Sequence, residues 1–308
     1  MTRLLVTGAA GFVGAAVVRR ALEDGHEVVA LASPTSDLGR LAGLDARVVR
    51  ADITGSLDDV VADAAPDACI HLAAAGAVVR DDDLDRLLAA NTLAPARLAR
   101  ALAAAGAARL VTAGSSSEYG TPEGPMDESL ACDPDDPYGV SKLAGGLLAR
   151  VVGHAAGLET AHMRLFSVYG PGEDARRLVA SVVHALVGGQ PIDLTPGGQV
   201  RDFVYVDDVA DALILAALKP GIDGLTANVG TGVQTTVRDL CLRIAAITGG
   251  ADLLRFGAKP YRDGERFRWR AATEHAAREL GWSARTSLDE GLRRTVDALR
   301  NETALEAA

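Results

Sequence analysis

The chain has 308 residues, 48% of them apolar and 23% charged, enough to bury a large core near the size at which one core divides into domains. Its formal charge of −10 argues against nucleic acid and anionic membranes as partners, but not against an anionic small molecule held by a few arginines. Cys69, Cys132 and Cys241 are odd in number, far apart and without CxxC spacing, which argues against a disulfide framework or a metal site.

The sequence opens directly on a strand-like MTRLLVTG, with no signal-peptide pattern and no run of about 18 uninterrupted apolar residues. A reducing, cytoplasmic setting is expected. Residues 3–7, 27–31, 46–50, 67–72 and 109–112 are Val/Leu-rich without alternation, the pattern of strands buried on both faces. Helical patterns lie between them, near 12–23, 57–64 and 84–104. This alternation predicts an α/β fold with a doubly wound parallel sheet. A helix after Pro137 and a strand at 160–165 continue it. Further helices are predicted at 175–187, 207–218, 236–248, 273–280 and 288–300, separated by short strands and Gly/Pro turns. We expect residues 1–165, completed by about 203–228, to form a dinucleotide-binding domain. Residues 166–202 and 229–308 form a smaller lobe over the carboxyl edge of the sheet, where ligands of such folds bind.

LLVTGAAGFVGAAVV places Gly8, Gly11 and Gly14 between the first strand and the first helix. Gly8 permits a tight turn, Gly11 lets a pyrophosphate approach the backbone, and Gly14 lets helix and strand pack closely. N–H groups at the helix start, around Phe12 and Val13, then face the phosphates. The second strand ends in VVALASPTSDLGR, without the acid that usually holds an NAD ribose. Ser33, Ser36 and Arg40 suit a 2′-phosphate instead, so NADP(H) is favoured, with NAD(H) open if Asp37 reaches back. Asp52, beside Ile53 after the third strand, is placed to bond the adenine amino group.

DPYGVSKLAGG puts Tyr138 and Lys142 four apart on one helix face. A phenol titrates near about 10, and a neighbouring ammonium favours its ionised form. Ser115, in GSSSEYG, would bond the reacting oxygen beside Tyr138. The hydrophobic run before that turn reads as a strand.

Together these stretches resemble the extended short-chain dehydrogenase/reductase family, in its nucleotide-sugar branch. The motifs are GAAGFVG (8–14), ADITG (51–55), HLAA (71–74), Asn91, GSSSEYG (114–120) and PYGVSK (137–142). RLFSVYGPGE (164–173), RDFVYVDDVA (201–210) and PYRDGE (260–265) complete them. The resemblance implies a Rossmann-like fold and a catalytic set of Ser115, Tyr138 and Lys142. It places Leu72, Ala73 and Ala74 on the nicotinamide side, with Asn91 behind. Arg201 and Arg262 match diphosphate contacts, Glu265 a ribose contact and Ser116 a sugar contact. Ser167 stands where relatives commonly carry Asn. The partner implied is a nucleotide-diphosphate sugar, and a homodimer is expected through helices near 84–104 and 138–153.

The family's 4,6-dehydratases carry Thr, Asp and Glu where this chain has Ser115, Ser116 and Ser117. A serine is not a base for a carbon-bound proton, and Glu118 falls one position late. Dehydration is therefore disfavoured. Reduction of a nucleotide-linked 4-keto-6-deoxyhexose is preferred, with 4-epimerisation by tightly held NAD as the alternative. A non-enzymatic dinucleotide-binding role is disfavoured by the retained Tyr/Lys pair. His71 reads as a core histidine and Asp81–Asp83 with Asp85 as a solvated helix start. ERFRWR (265–270) reads as a strand with one wet face.

Overall fold

The computed structural model describes residues 1–77, 83–262 and 264–306. Asp81, Asp82 and Asp263 lie outside the described residues; Asp83 caps the next helix, accepting the Arg86 N–H at 3.0 Å. The first half runs β1 (Arg3–Thr7), α1 (Phe12–Glu23), β2 (Glu27–Ala32), β3 (Arg47–Arg50), α2 (Asp58–Ala64), β4 (Ala68–His71), α3 (Leu84–Leu87), α4 (Ala94–Ala104), β5 (Arg109–Ser115), α5 (Pro137–Ala155) and β6 (Glu159–Leu165). The second half adds β7 (Ser167–Tyr169), α6 (Leu178–Val187), β8 (Ile192–Leu194), β9 (Val200–Arg201), β10 (Phe203–Tyr205), α7 (Val206–Leu218) and β11 (Leu225–Val229). It ends with β12 (Thr235–Thr236), α8 (Val237–Thr248), β13 (Leu254–Phe256), α9 (Glu274–Leu280) and α10 (Leu288–Glu306).

Seven strands form one parallel sheet in the order β11-β6-β5-β4-β1-β2-β3. This is the doubly wound Rossmann order with one strand added. Its inner strands are mostly apolar because both faces are covered, whereas the edge strand β3, expected to be buried on both faces, is largely exposed. Val17, Val18, Leu213 and Ala216 of α1 and α7 pack on one side, and Val61, Leu98, Leu102 and Ala149 of α2, α4 and α5 on the other. In the lobe, α6, α8 and α10 bury Val182, Val183, Leu240, Ile244, Leu292 and Val296 together. Among the described residues no helix is long and apolar enough to cross a membrane.

The register aligns polar residues that are far apart in sequence. Thr7 pairs with His71, His71 with Thr112, and Thr112 with His162, a buried row across β1, β4, β5 and β6. The Thr7 hydroxyl faces the N–H groups of Leu72 and Ala73 at 3.3 and 3.4 Å, so it donates its one proton to His71 Nδ1 at 2.7 Å. Thr112 Oγ1 lies 2.8 Å from His162 Nδ1.

Three expectations change. β5 runs on to Ser115, because its pairing with β6 continues to Ser115–Leu165. The long helix at 84–104 is interrupted by a turn of π pitch at Leu88–Leu93, which contains Asn91. Residues 265–270 form no strand. The Val200 N–H donates to Phe267 O at 3.2 Å, and the Arg201 guanidinium donates to Arg266 O at 2.7 Å.

Candidate active site

The glycine turn closes against the strand beside it. Gly8 has φ +66°, and a Cβ there would lie 2.6 Å from Ala73 N. At Gly14 a Cβ would lie 2.1 Å from Gly8 O. The N-cap of α1 is Gly11, which offers no side chain to the first N–H groups of the helix. Those donors therefore remain for an anion. Gly8, Gly11, Phe12, Val13 and Gly14 line a cleft of about 470 Å³, shared with Leu72, Ala74, Ser115, Tyr138 and Lys142. The cradle fits a dinucleotide pyrophosphate.

The residues expected at the adenosine end are held by protein partners. The Ser33 and Ser36 hydroxyls bond each other at 2.7 Å, and Arg50 donates to Ser33 O, Pro34 O and Ser36 O. Arg40 donates to Gly172 O at 3.0 Å rather than standing free for a 2′-phosphate. Asp37 does not reach back: it accepts the Gly39 N–H at 2.9 Å. Asp52 accepts from the Thr54 N–H and hydroxyl, and Ile53 packs against the core. Asn91 lies behind the cleft, accepting the Ala75 N–H at 2.8 Å and donating to Ala75 O and Ser141 Oγ at 3.0 Å. Ala73 backs the turn while Ala74 faces the cleft.

Ser115 ends β5 and caps a short helical turn, Ser116–Tyr119. Its Oγ accepts the Ser117 N–H at 3.1 Å, which leaves the hydroxyl proton to donate elsewhere. Ser115, Ser116 and Ser117 all line the cleft. Glu118 does not. Its carboxylate is fully buried, accepts the Ser115 N–H at 2.7 Å, and pairs with His162 at 3.0 Å and Arg164 at 2.8 Å. Burial pushes this carboxyl up, but the charges and hydrogen bonds of His162 and Arg164 prevail and hold it at about 2.

Asp136 caps α5 by accepting the Gly139 N–H at 2.6 Å, which fixes the helix start that carries Tyr138. Gly139 and Gly145 let α5 approach closely: added Cβ atoms would lie 2.5 Å from Ser117 O and 1.9 Å from Asn91 O. Tyr138 and Lys142 share the helix face toward the cleft. Burial raises the Tyr138 phenol to about 12; the Arg177 charge acts most strongly against it, and a hydrogen bond with Ser115 also lowers it. Burial brings the Lys142 ammonium down to about 8, against the pull of Glu118. His71 is held to about 3 by burial and by the Lys142 charge, so it is a neutral core residue.

The cleft continues into a cavity of about 540 Å³; Ser167, Val168, Arg177 and Arg201 line both, and Arg262 and Glu265 line the second. Arg201 donates to Glu265 at 2.7 Å. Two arginines were missed in sequence. Arg177 donates to buried Glu173 at 2.9 Å and to Ala77 O at 3.2 Å. Arg266 pairs with Asp135 and Asp136, and its guanidinium and that of Arg201 both contact the Trp269 ring. Burial lifts the Glu173 carboxyl to about 7 despite Arg177. The GPGE and ERFRWR charges were visible, but nothing local shows what they meet.

A parallel Rossmann sheet, a glycine cradle and a Ser/Tyr/Lys cleft define a dinucleotide-dependent enzyme of the extended short-chain dehydrogenase/reductase type. Residues 4–230 match the NAD dependent epimerase/dehydratase family, and the chain belongs to that family. It is 37% identical to a UDP-glucose 4-epimerase of Mycolicibacterium smegmatis, over 98% of this chain and 99% of that protein. It is 32% identical to a dTDP-glucose 4,6-dehydratase of Streptomyces niveus, over 98% and 94% of the two chains. The solved structure of MoeE5 in complex with UDP-glucose and NAD superposes with a TM-score of 0.89 at 33% identity, over 98% of this chain and 99% of that one. These relatives support the epimerase alternative better than the ketoreductase preferred from sequence, and the MoeE5 structure holds NAD.

Proposed function

We propose that the protein is an NAD-dependent nucleotide-sugar 4-epimerase, with UDP-glucose as the first substrate to test. The likeness to a UDP-glucose 4-epimerase favours epimerisation over reduction, and one observation of the site argues against dehydration. The turn beside Tyr138 presents three hydroxyls to the cleft, while its one carboxylate, Glu118, is buried and turned away. Hydroxyls can bond and orient an alcohol or ketone, but they do not abstract the carbon-bound proton that dehydration requires.

NAD bound in this cleft would supply a hydride acceptor for sugar C4 and the source of the hydride that restores C4 on its other face. Tyr138 takes the C4 hydroxyl proton as hydride leaves and gives a proton back as hydride returns. Its phenol must ionise for the first step. Burial opposes that, so the cations of Lys142 and Arg177 are needed beside it. Ser115 donates to the C4 oxygen and fixes its distance from Tyr138. Lys142 holds the nicotinamide ribose. Ser116 and Ser167 contact the sugar, Arg201 and Arg262 the diphosphate, and Glu265 the nucleotide ribose. We place the cofactor on residues 1–165 with about 203–228, and the nucleotide sugar on 166–202 with 229–308. NAD is the cofactor we assign, since the groups that would bind a 2′-phosphate already have protein partners.

Homodimerisation is proposed through α3, α4, α5 and the π turn. Leu84, Leu88, Leu93, Val140, Leu147 and Val151 stand exposed on those helices, an apolar surface that a second copy would cover.

The test is incubation with UDP-glucose and NAD, followed by proton NMR of the anomeric signals. Appearance of UDP-galactose without net change in reduced cofactor supports the epimerase. Consumption of NADH or NADPH with a dTDP-4-keto-6-deoxyhexose, without interconversion of UDP-hexoses, replaces it by the ketoreductase.

A further inference from the structure

We propose that Glu118 is a positioning residue for the reaction: with His162 and Arg164 it forms a buried charged anchor that sets where Ser115 stands. The inference rests on the reading of Ser115 as the group that bonds the reacting oxygen.

Glu118 adjoins the cleft without entering it, and its side chain has no exposed surface. A carboxylate so placed is tolerated only when paired and fully hydrogen-bonded. Here three donors converge on its two oxygens. Oε1 accepts the Ser115 N–H at 2.7 Å and faces His162 Nε2 at 3.0 Å; Oε2 accepts Arg164 Nε at 2.8 Å. His162 is fixed in turn by Thr112 at 2.8 Å, and by close glycines on both sides: a Cβ at Gly114 or Gly146 would lie 2.4 Å from its ring. Arg164 is fixed over the Tyr119 ring at 4.5 Å and against Cys132 Sγ at 3.0 Å. The anchor therefore belongs to the sheet, through β5 and β6, while the residue it grips begins the catalytic turn.

Only a carboxylate satisfies this arrangement. All three partners present N–H groups, and an amide has one acceptor oxygen and one donor nitrogen. A glutamine would aim its NH₂ at either the Ser115 N–H or the Arg164 guanidinium, and one of them must move. A shift of about 1 Å at a reacting group can lower a rate by about a hundredfold.

The test compares kcat and KM for UDP-glucose interconversion in Glu118→Gln, Ser115→Ala and the double variant, with NAD binding measured separately. We expect Glu118→Gln to lower kcat about tenfold to a hundredfold, with KM and NAD affinity within about twofold of wild type. Because Glu118 acts through Ser115, the double variant should be no slower than Ser115→Ala alone. Multiplicative losses, or wild-type kcat in Glu118→Gln, would overturn the proposal. If Ser115→Ala itself retains full kcat, it is the reading of Ser115 that fails. Should the glutamine variant be recovered unfolded, Glu118→Asp serves in its place. It keeps a charge for Arg164 and His162, withdraws from Ser115 by one methylene, and should show the same kcat loss and the same lack of additivity.

Discussion

At the glycine turn the protein presents its backbone; in the C-terminal lobe it presents paired side chains. Gly8, Gly11 and Gly14 lie within one short stretch, and their purpose is to have no side chain. The lobe depends instead on arginines held by carboxylates: Arg201 by Glu265, Arg266 by Asp135 and Asp136, and Arg177 by Glu173. The two kinds of site should fail differently. A backbone cradle tolerates no added atom, because the chain itself stands where the atom would go. A side-chain site loses affinity when one member is removed, but the fold around it remains.

The largest effect belongs to neither region but to the residue between them. Tyr138→Phe should lower kcat by about 10²–10⁴-fold while UDP and NAD affinities, measured by calorimetry, stay unchanged. Turnover near wild type would remove Tyr138 from the mechanism.

Next comes the backbone site. Gly8→Ala forces a left-handed conformation on a residue whose Cβ meets the Ala73 backbone. It should destabilise the fold by about 3 kcal/mol in urea titrations and abolish NAD binding. In the lobe, Arg201→Gln should weaken UDP binding about tenfold while leaving NAD affinity unchanged. If Arg201→Gln unfolded the protein and Gly8→Ala did not, the two regions would not differ in this way.

A smaller effect is set by pH. Lys142 titrates at about 8 in the folded protein, below the ordinary lysine value. The unfolded chain then holds the extra proton between those values, so this residue's contribution to stability rises with pH across that window. Denaturation as a function of pH should show that rise in the wild type and lose it in Lys142→Met. Activity should decline above about pH 8 as the ammonium beside Tyr138 is lost. The smallest change to the fold is expected from Val151→Glu, on an exposed helix face. It should cost less than about 0.5 kcal/mol in stability yet shift sedimentation from dimer to monomer.

Most of the fold from β1 to β6 could be read in the sequence because its determinants are local. Three glycines after a strand, and a tyrosine four residues before a lysine, carry their geometry in their spacing. The Thr7–His71–Thr112–His162 row could not be read that way. Each member sits at a similar height on a different strand, and only the strand order makes them neighbours. The inward turn of Glu118 was half legible: its offset in GSSSEYG predicted that it would miss the substrate, but not that His162 and Arg164 would receive it. Arg266 was misread as one wet position in a strand, because its partners lie far upstream.

Arg266 also limits how such proteins can be recombined. It joins the lobe to Asp136, the cap of α5, across 130 positions of sequence. A lobe grafted from a relative with another residue here would leave that cap facing an unmatched neighbour. An exchange of lobes between relatives must therefore carry both ends of this contact, so that two distant codons are inherited as one unit.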